Sequence, residues 1–212
     1  MALILFGGNL GTRKSLTCRG GTITYSTGEQ VHIVGLDEYS PGLYHSGTGA
    51  MFFNEIKRDT PLGREIIGYI KGGYMPHAGL VMNVLYENYH ILKDIEHILA
   101  DGWIREPGVI APAIDFIKND LRQKNIGMID MVASPETCMR RTLNRDENRI
   151  DDQIATIKNR LHTHKKYSGI VNAELKLILG ADNCIEICAE DYTPAQYGVQ
   201  AAAKFVKEQM QR

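Results

Sequence analysis

Gly8-Asn9-Leu10-Gly11-Thr12-Arg13-Lys14-Ser15 follows directly on the apolar residues 3–6. Its order is that of a phosphate-binding loop, G-x-x-x-x-G-K-[ST], except that Arg13 stands at the second required glycine. Such a loop closes backbone N–H groups on phosphate oxygens, so Gly8 and Gly11 matter because no side chain intervenes. Thr12 and Arg13 complete the turn, and Arg13 adds a cation where a phosphate would lie. Lys14 offers a point charge to β- and γ-phosphates, and Ser15 offers a hydroxyl ligand to Mg²⁺. A start at Gly7 would put Arg13 at the lysine position, so the Gly8 register, which keeps Lys14 and Ser15, is preferred. The same residues also suit a Gly-rich strand-to-helix turn that binds nothing.

Further groups could serve the same chemistry. Asp101 ends the apolar "HILAD", where a carboxylate beside a phosphate loop can hold Mg²⁺ directly or through water. It could also cap a helix. Arg105, four residues on, is a phosphate ligand or a surface cation. In "RRTLNRDENRIDD", Arg141 and Arg145 share one helical face at i, i+4. Arg149 and Arg160, three helical turns apart, share one as well. Guanidinium groups converging on a cleft would stabilise charge on a transferring phosphoryl group. On a solvated helix they would only form salt bridges.

These residues need elements to bring them together. Strand patterns fall at 3–6, 97–101, 126–134 and 184–190, and amphipathic helical patterns at 61–71, 78–92, 107–124, 135–145, 150–165 and 193–210. Thr193 followed by Pro194 starts the last helix. Alternation of this kind predicts a parallel sheet with helices on both faces, with ligands beyond the carboxyl ends of its strands. Residues 17–50 break the rhythm, although "GTITYSTGEQVHIVGL" reads as a hairpin turning near Thr27-Gly28. "MFF", 51–53, reads as helix core. His162 and His164 read as surface residues on different helix faces, and "HKK", 164–166, as a charged helix end.

Composition narrows the class. The chain has 212 residues, 43% hydrophobic and 23% charged, with a formal net charge of −1. This is an ordinary globular balance with no global attraction to nucleic acid or anionic membrane. No apolar run is long enough to span a bilayer, and "MALILFGG" lacks the basic region of a signal peptide. Cys18, Cys138, Cys184 and Cys188 show no metal-type spacing, and Cys184 and Cys188 read as small core residues. Reduced thiols and a cytoplasmic setting are expected.

Several segments together resemble the adenylate kinase and nucleoside monophosphate kinase family. "ILADGWIR" is similar to its "LLDGFPR", "RRTLNRDENRIDDQIATIKNRL" to its arginine-rich lid segment, 48–76 to its monophosphate-binding segment and "SPETCMRR" to the passage into the lid. The resemblance implies a three-layer P-loop parallel sheet with a small helical monophosphate-binding part at 44–76 and a short, zinc-free lid at 145–149. It leaves 17–43 as an atypical insert in a single domain of residues 1–212. It implies transfer of the γ-phosphoryl of Mg-ATP to a nucleoside monophosphate, AMP first, by a monomer. By position, Lys14 would hold ATP phosphates, Asp101 the Mg²⁺ water shell, and Arg141 and Arg145 would contact ATP. Arg105 and Arg149 would clamp the acceptor phosphate, with Arg160 bridging donor and acceptor. Thr48, Tyr74 and Met75 would line the acceptor base. The chain departs from the family at Ala50, Phe53 and Val109, where an aspartate, an arginine and a glutamine are usual. Those departures, with Arg13, leave a second reading: a nucleotide- or partner-binding protein on the same fold with degenerate activity.

Overall fold

The computed structural model describes residues 1–9, 11, 12, 14–24, 30–144, 153–190 and 195–212, apart from the side chains of Ser15, Ile23 and Thr24. Strand β1 (Ala2–Gly8) buries residues 2–6 on both faces, which is why its run is continuously apolar rather than alternating. The short α1 (Lys14–Arg19) leads to a hairpin of β2 (Gly21–Thr24) and β3 (Gln30–Ile33). Then come α2 (Leu36–Tyr39) and β4 (Leu43–Gly47). Helices α3 (Thr48–Lys57), α4 (Pro61–Gly72), α5 (Ala78–Glu87) and the single-turn α6 (Tyr89–Leu92) precede β5 (His97–Asp101). Helix α7 (Pro107–Asp115) runs into a π-helical turn, Phe116–Asp120, before β6 (Asn125–Val132). The chain closes with α8 (Pro135–Leu143), α9 (Ile154–Leu179), β7 (Cys184–Cys188) and α10 (Ala195–Gln211).

The five-stranded sheet has the order β4-β5-β1-β6-β7, and all its pairings are parallel. Successive side chains of β1 point to opposite faces. Leu3 and Leu5 enter one core with Met51, Phe52, Leu80, Ile110, Val171 and Leu175. Ile4 and Phe6 enter the other with Cys18, Leu36, Ala202, Phe205 and Val206. Helices therefore cover both faces, giving a three-layer P-loop α/β fold. The switch point of the strand order lies at the carboxyl end of β1, flanked by β5 and β6. That is where a ligand crevice opens in such sheets.

Several sequence expectations change here. Residues 43–47 form a sheet strand that the pattern did not reveal, because "LYHSG" lies at the sheet edge and is neither apolar nor alternating. The hairpin register, Gly21 opposite Ile33 and Thr24 opposite Gln30, matches the expected turn region, whose tip lies outside the described residues. Helix α9 continues to Leu179, so 164–166 sit in mid-helix rather than at a helix end. Val171 and Leu175 explain the extension: both are buried against the sheet, and packing overrides the weak local pattern around Gly169. Cys188 is exposed and Cys184 half-buried, not core residues, because β7 is an edge strand. Thr193 and Pro194 lie outside the described residues. Among those described, no helix is long and apolar enough to cross a membrane.

Candidate functional site

The loop after β1 takes the shape that its glycines permit. Gly8 has φ 112° and Gly11 φ 76°, both in the region that L-residues avoid. A Cβ added at Gly8 would lie 2.5 Å from the Met131 carbonyl oxygen, and one at Gly11 2.5 Å from that of Cys138. The loop is therefore pressed onto the end of β6 and onto α8. Arg141 secures it from α8, donating through Nη1 to the carbonyls of Gly11 at 3.1 Å and Ala189 at 2.6 Å. One guanidinium thus ties the loop to the segment after β7.

Lys14 turns back beneath this loop. Its Nζ donates to the carbonyls of Gly8 at 2.7 Å and Asn9 at 2.6 Å, and lies 3.4 Å from Thr12 Oγ1. Thr12, itself buried, donates its hydroxyl to Asn9 at 2.7 Å. An ammonium has three N–H groups. Two are well placed on carbonyls, and the third makes one long contact that an anion could replace. Desolvation is the main reason the Lys14 pKa falls to about 8; Arg105 and Arg160 depress it further, while Asp101 and Asp130 oppose the fall. The structure thus brings Lys14, Asp101, Arg105, Asp130 and Arg160 within electrostatic reach of one another.

Asp101 stands beside Phe6 in the β1–β5 register, and Asp130 beside Gly7 in the β1–β6 register, so carboxylates flank the carboxyl end of β1 on both sides. Burial would raise the Asp101 pKa, but the close His45 imidazole and the charges of Lys14 and Arg105 outweigh it and hold the carboxyl below its usual range. His45 Nε2 lies 3.6 Å from Asp101 Oδ2, an ion-pair distance just beyond a hydrogen bond. Asp101 Oδ1 is buried with no hydrogen-bond partner among the described residues. An ionised carboxylate with an oxygen to spare suits the water shell of Mg²⁺, and the loop glycines leave the close backbone approach that a polyphosphate needs.

The turn after Asp101 is pinned from both sides. Trp103 Nε1 donates to the Ser46 carbonyl and Thr48 Oγ1 to the Gly102 carbonyl, each at 2.9 Å. Arg105 Nε donates to Gly102 at 3.3 Å, and its guanidinium lies over that glycine so closely that a Cβ there would overlap it. Arg105 and Arg160 are half-buried, Tyr74 is exposed and Met75 is half-buried at the far end of α4. Thr48 is only 3% exposed, so here it joins α3 to the turn. Val109 is 1% exposed inside the core, Ala50 is exposed and Phe53 half-buried. Arg13, Arg145 and Arg149, with the Ser15 side chain, lie outside the described residues.

The sequence reading missed His45, Asp130, Asn172 and, above all, His164. Taken there for a surface residue, His164 is half-buried and lines a cavity beside the loop. Desolvation, aided by Lys14 and Arg105, brings its pKa down to about 4. The signal for Asp130 was present: one acid inside the apolar "NIGMIDMV".

The adenylate kinase of Bacteroides thetaiotaomicron is 31% identical over 62% of this chain and 70% of its own length. The chain belongs to the adenylate kinase family. An adenylate kinase of Nitratiruptor sp. is 28% identical, matched over 58% of this chain and 63% of that relative. Adenylate kinase isoenzyme 1 of Caenorhabditis elegans is 30% identical over 58% of each. These matches to adenylate kinases span between 58% and 70% of the relatives' lengths. No protein-family model matches the chain.

Proposed function

We propose that this chain is a nucleoside monophosphate kinase that transfers the γ-phosphoryl of Mg-ATP to a monophosphate, with AMP as the preferred acceptor. The observation that carries the reading is the state of Lys14. Two of its N–H groups rest on loop carbonyls, a third is replaceable, and Arg105 and Arg160 lie within electrostatic reach. That is a cation set suited to a polyphosphate at the switch point of the sheet. Catalysis of phosphoryl transfer is positioning and charge stabilisation rather than covalent work.

In this reading Gly8, Gly11, Thr12, Arg13 and Ser15 cradle the donor phosphates, with Lys14 on the β- and γ-phosphates. Ser15 and Asp101 would hold Mg²⁺ and its water shell; the ion, when bound, neutralises charge across those phosphates. Arg141 and Arg145 contact the donor, Arg105 and Arg149 clamp the acceptor phosphate, and Arg160 spans the two. Residues 44–76 form the acceptor-binding part, with Thr48, Tyr74 and Met75 against the base. Residues 145–149 form a short lid, 17–43 are an insert, and the protein works as a cytoplasmic monomer.

The second reading, a nucleotide-binding protein with degenerate transfer activity, draws on specific observations. The family's base-reading glutamine position is the buried Val109, the Thr48 hydroxyl is engaged by Gly102, and Phe53 takes an arginine's place. A coupled assay for ADP formation with each monophosphate in turn separates the two. The kinase reading expects AMP to stimulate ATP turnover and Lys14→Ala to reduce it by orders of magnitude in a folded protein. If no monophosphate stimulates turnover while ATP still raises the melting temperature, the second reading holds.

A further inference from the structure

Helix α4 ends against the start of α9. The last four carbonyls of a helix have no partner within it. In α4 these belong to Tyr69, Ile70, Lys71 and Gly72. The turn that follows pairs two of them: the Tyr74 N–H donates to Tyr69 at 3.0 Å and the Gly73 N–H to Ile70 at 3.1 Å. The other two are paired from α9. Thr156 Oγ1 donates to the Lys71 carbonyl at 3.2 Å, and Asn159 Nδ2 to the Gly72 carbonyl at 3.0 Å. The backbones are close, since a Cβ added at Gly73 would lie 2.5 Å from the Thr156 carbonyl oxygen. The first turns of α9, at the positive end of its dipole, thus meet the negative end of α4.

The same turns of α9 are held on a second side. Ile157 and Leu161 are buried with Cys138 of α8. That helix in turn presses on Gly11 and sends Arg141 to the Gly11 carbonyl. Arg160 stands among these contacts. It follows Asn159 directly and lies four residues after Thr156, on the same helical face. Its side chain is half-buried and within electrostatic reach of Lys14. Threonine and asparagine are mediocre helix formers, so local propensity does not account for Thr156 and Asn159 in these turns; their bonds to α4 do. A guanidinium on a long stem loses side-chain entropy when it is held where an anion arrives, and a fixed helix beneath it reduces that loss.

We propose that Thr156 and Asn159 are positioning residues: by docking α9 on the end of α4 they hold Arg160 at the glycine loop and join it to the segment that precedes Tyr74 and Met75. The inference rests on the reading of Lys14 and Arg160 as a nucleotide site, and deepens it. Neither residue needs to touch nucleotide, because each acts through Arg160. Thr156, 3% exposed, carries most of the effect, and Asn159, at the exposed rim, adds to it. ATP affinity therefore depends on two carbonyls of α4, an element that lies on the other side of α9 from the loop-bearing α8.

Two measurements on the full chain test it. Thr156→Val with Asn159→Asp removes both donors at nearly constant shape, whereas Thr156→Ser keeps the hydroxyl. In the ligand-free protein the double variant is expected to exchange the Gly73 and Tyr74 amides about tenfold faster or more, with the β1 amides as protected as before. The Kd for ATP, from calorimetry, is expected to rise roughly three- to tenfold in the double variant and to stay unchanged in Thr156→Ser. On an Arg160→Ala background the same two substitutions should change the Kd by less than about twofold, because the residue they act through is gone. Unchanged amide exchange overturns the docking itself, whatever the protein does with nucleotide. An equal loss of ATP affinity with and without Arg160 overturns the positioning role and leaves the contacts merely structural. ATP binding without phosphoryl transfer would sink the kinase reading alone, and a wild-type protein that does not bind ATP would sink both. Should the double variant fail to fold, Asn159→Asp alone is measured, and wild-type exchange at Gly73 and Tyr74 there is equally fatal.

Discussion

Lys14 concentrates the chemistry of the candidate site in one nitrogen. Its pKa of about 8 arises chiefly because the loop strips water from the ammonium. A phosphate must meet the charged form. Below pH 8 the lysine is already protonated, whereas above it binding must draw a proton from solution. ATP affinity measured by calorimetry is therefore expected to hold steady between pH 6.5 and 7.5. Above pH 8 it should weaken, by up to about tenfold per pH unit. Proton uptake should appear as a dependence of the binding enthalpy on the buffer's ionisation heat. A flat affinity from pH 7 to 10 would show that Lys14 is not the group that meets the phosphates. Arg105 and Arg160 depress the lysine by repulsion, and an anion would relieve all three at once. The lysine and its spacing were legible in the sequence. Its folded-back posture was not, because that depends on two carbonyls and on their burial.

The loop is an element only by virtue of what it leans on. Gly11 must be left-handed, and α8 passes so close that the Cys138 carbonyl occupies the space of a side chain. Gly11→Ala is expected to cost roughly 1–3 kcal/mol from the backbone alone. The loop must also move off α8, which would loosen the Arg141 bridge to Ala189. The check is a melting temperature lowered by several degrees together with a much smaller further rise on adding ATP. A Gly11→Ala protein with the wild-type ATP response would mean that the loop shape is irrelevant to nucleotide. The two neighbouring strands illustrate how element patterns can be read. "HILAD" and "NIGMIDMV" announce themselves by apolar content, but "LYHSG" does not, because an edge strand is held by hydrogen bonds to β5 more than by its own hydrophobicity. Likewise α9 runs well past its strongest periodicity, since the sheet beneath rewards Val171 and Leu175.

At the scale of the whole molecule, half-buried His164 couples the loop to global stability. In the unfolded chain its pKa is 6.5, and in the folded protein about 4. As the pH falls from 6.5 toward 4 the unfolded state takes up a proton that the folded state refuses, so stability declines through that window. The decline is on the order of 1–3 kcal/mol. Asp130, whose pKa burial raises, acts in the opposite sense just above its ordinary value, so the comparison belongs between pH 7.5 and 5. His164→Gln should flatten the melting curve across that range; an unchanged slope would assign the acid sensitivity elsewhere. The residue sequence alone determined the parallel α/β plan, because buried strands and amphipathic helices write their periods locally. It also made the glycine loop, Asp101 and the arginine run readable as candidates, because a phosphate site would call for those residue types in that order. Only the tertiary structure decided that Lys14, Asp101, Arg105 and Arg160 share a field, and that Thr48 serves the turn after Asp101. It alone set Asp130, Glu186 and His164 around a second polar space. Those relations join residues distant in the chain, and no local pattern encodes a distance that only strand register and helix packing create.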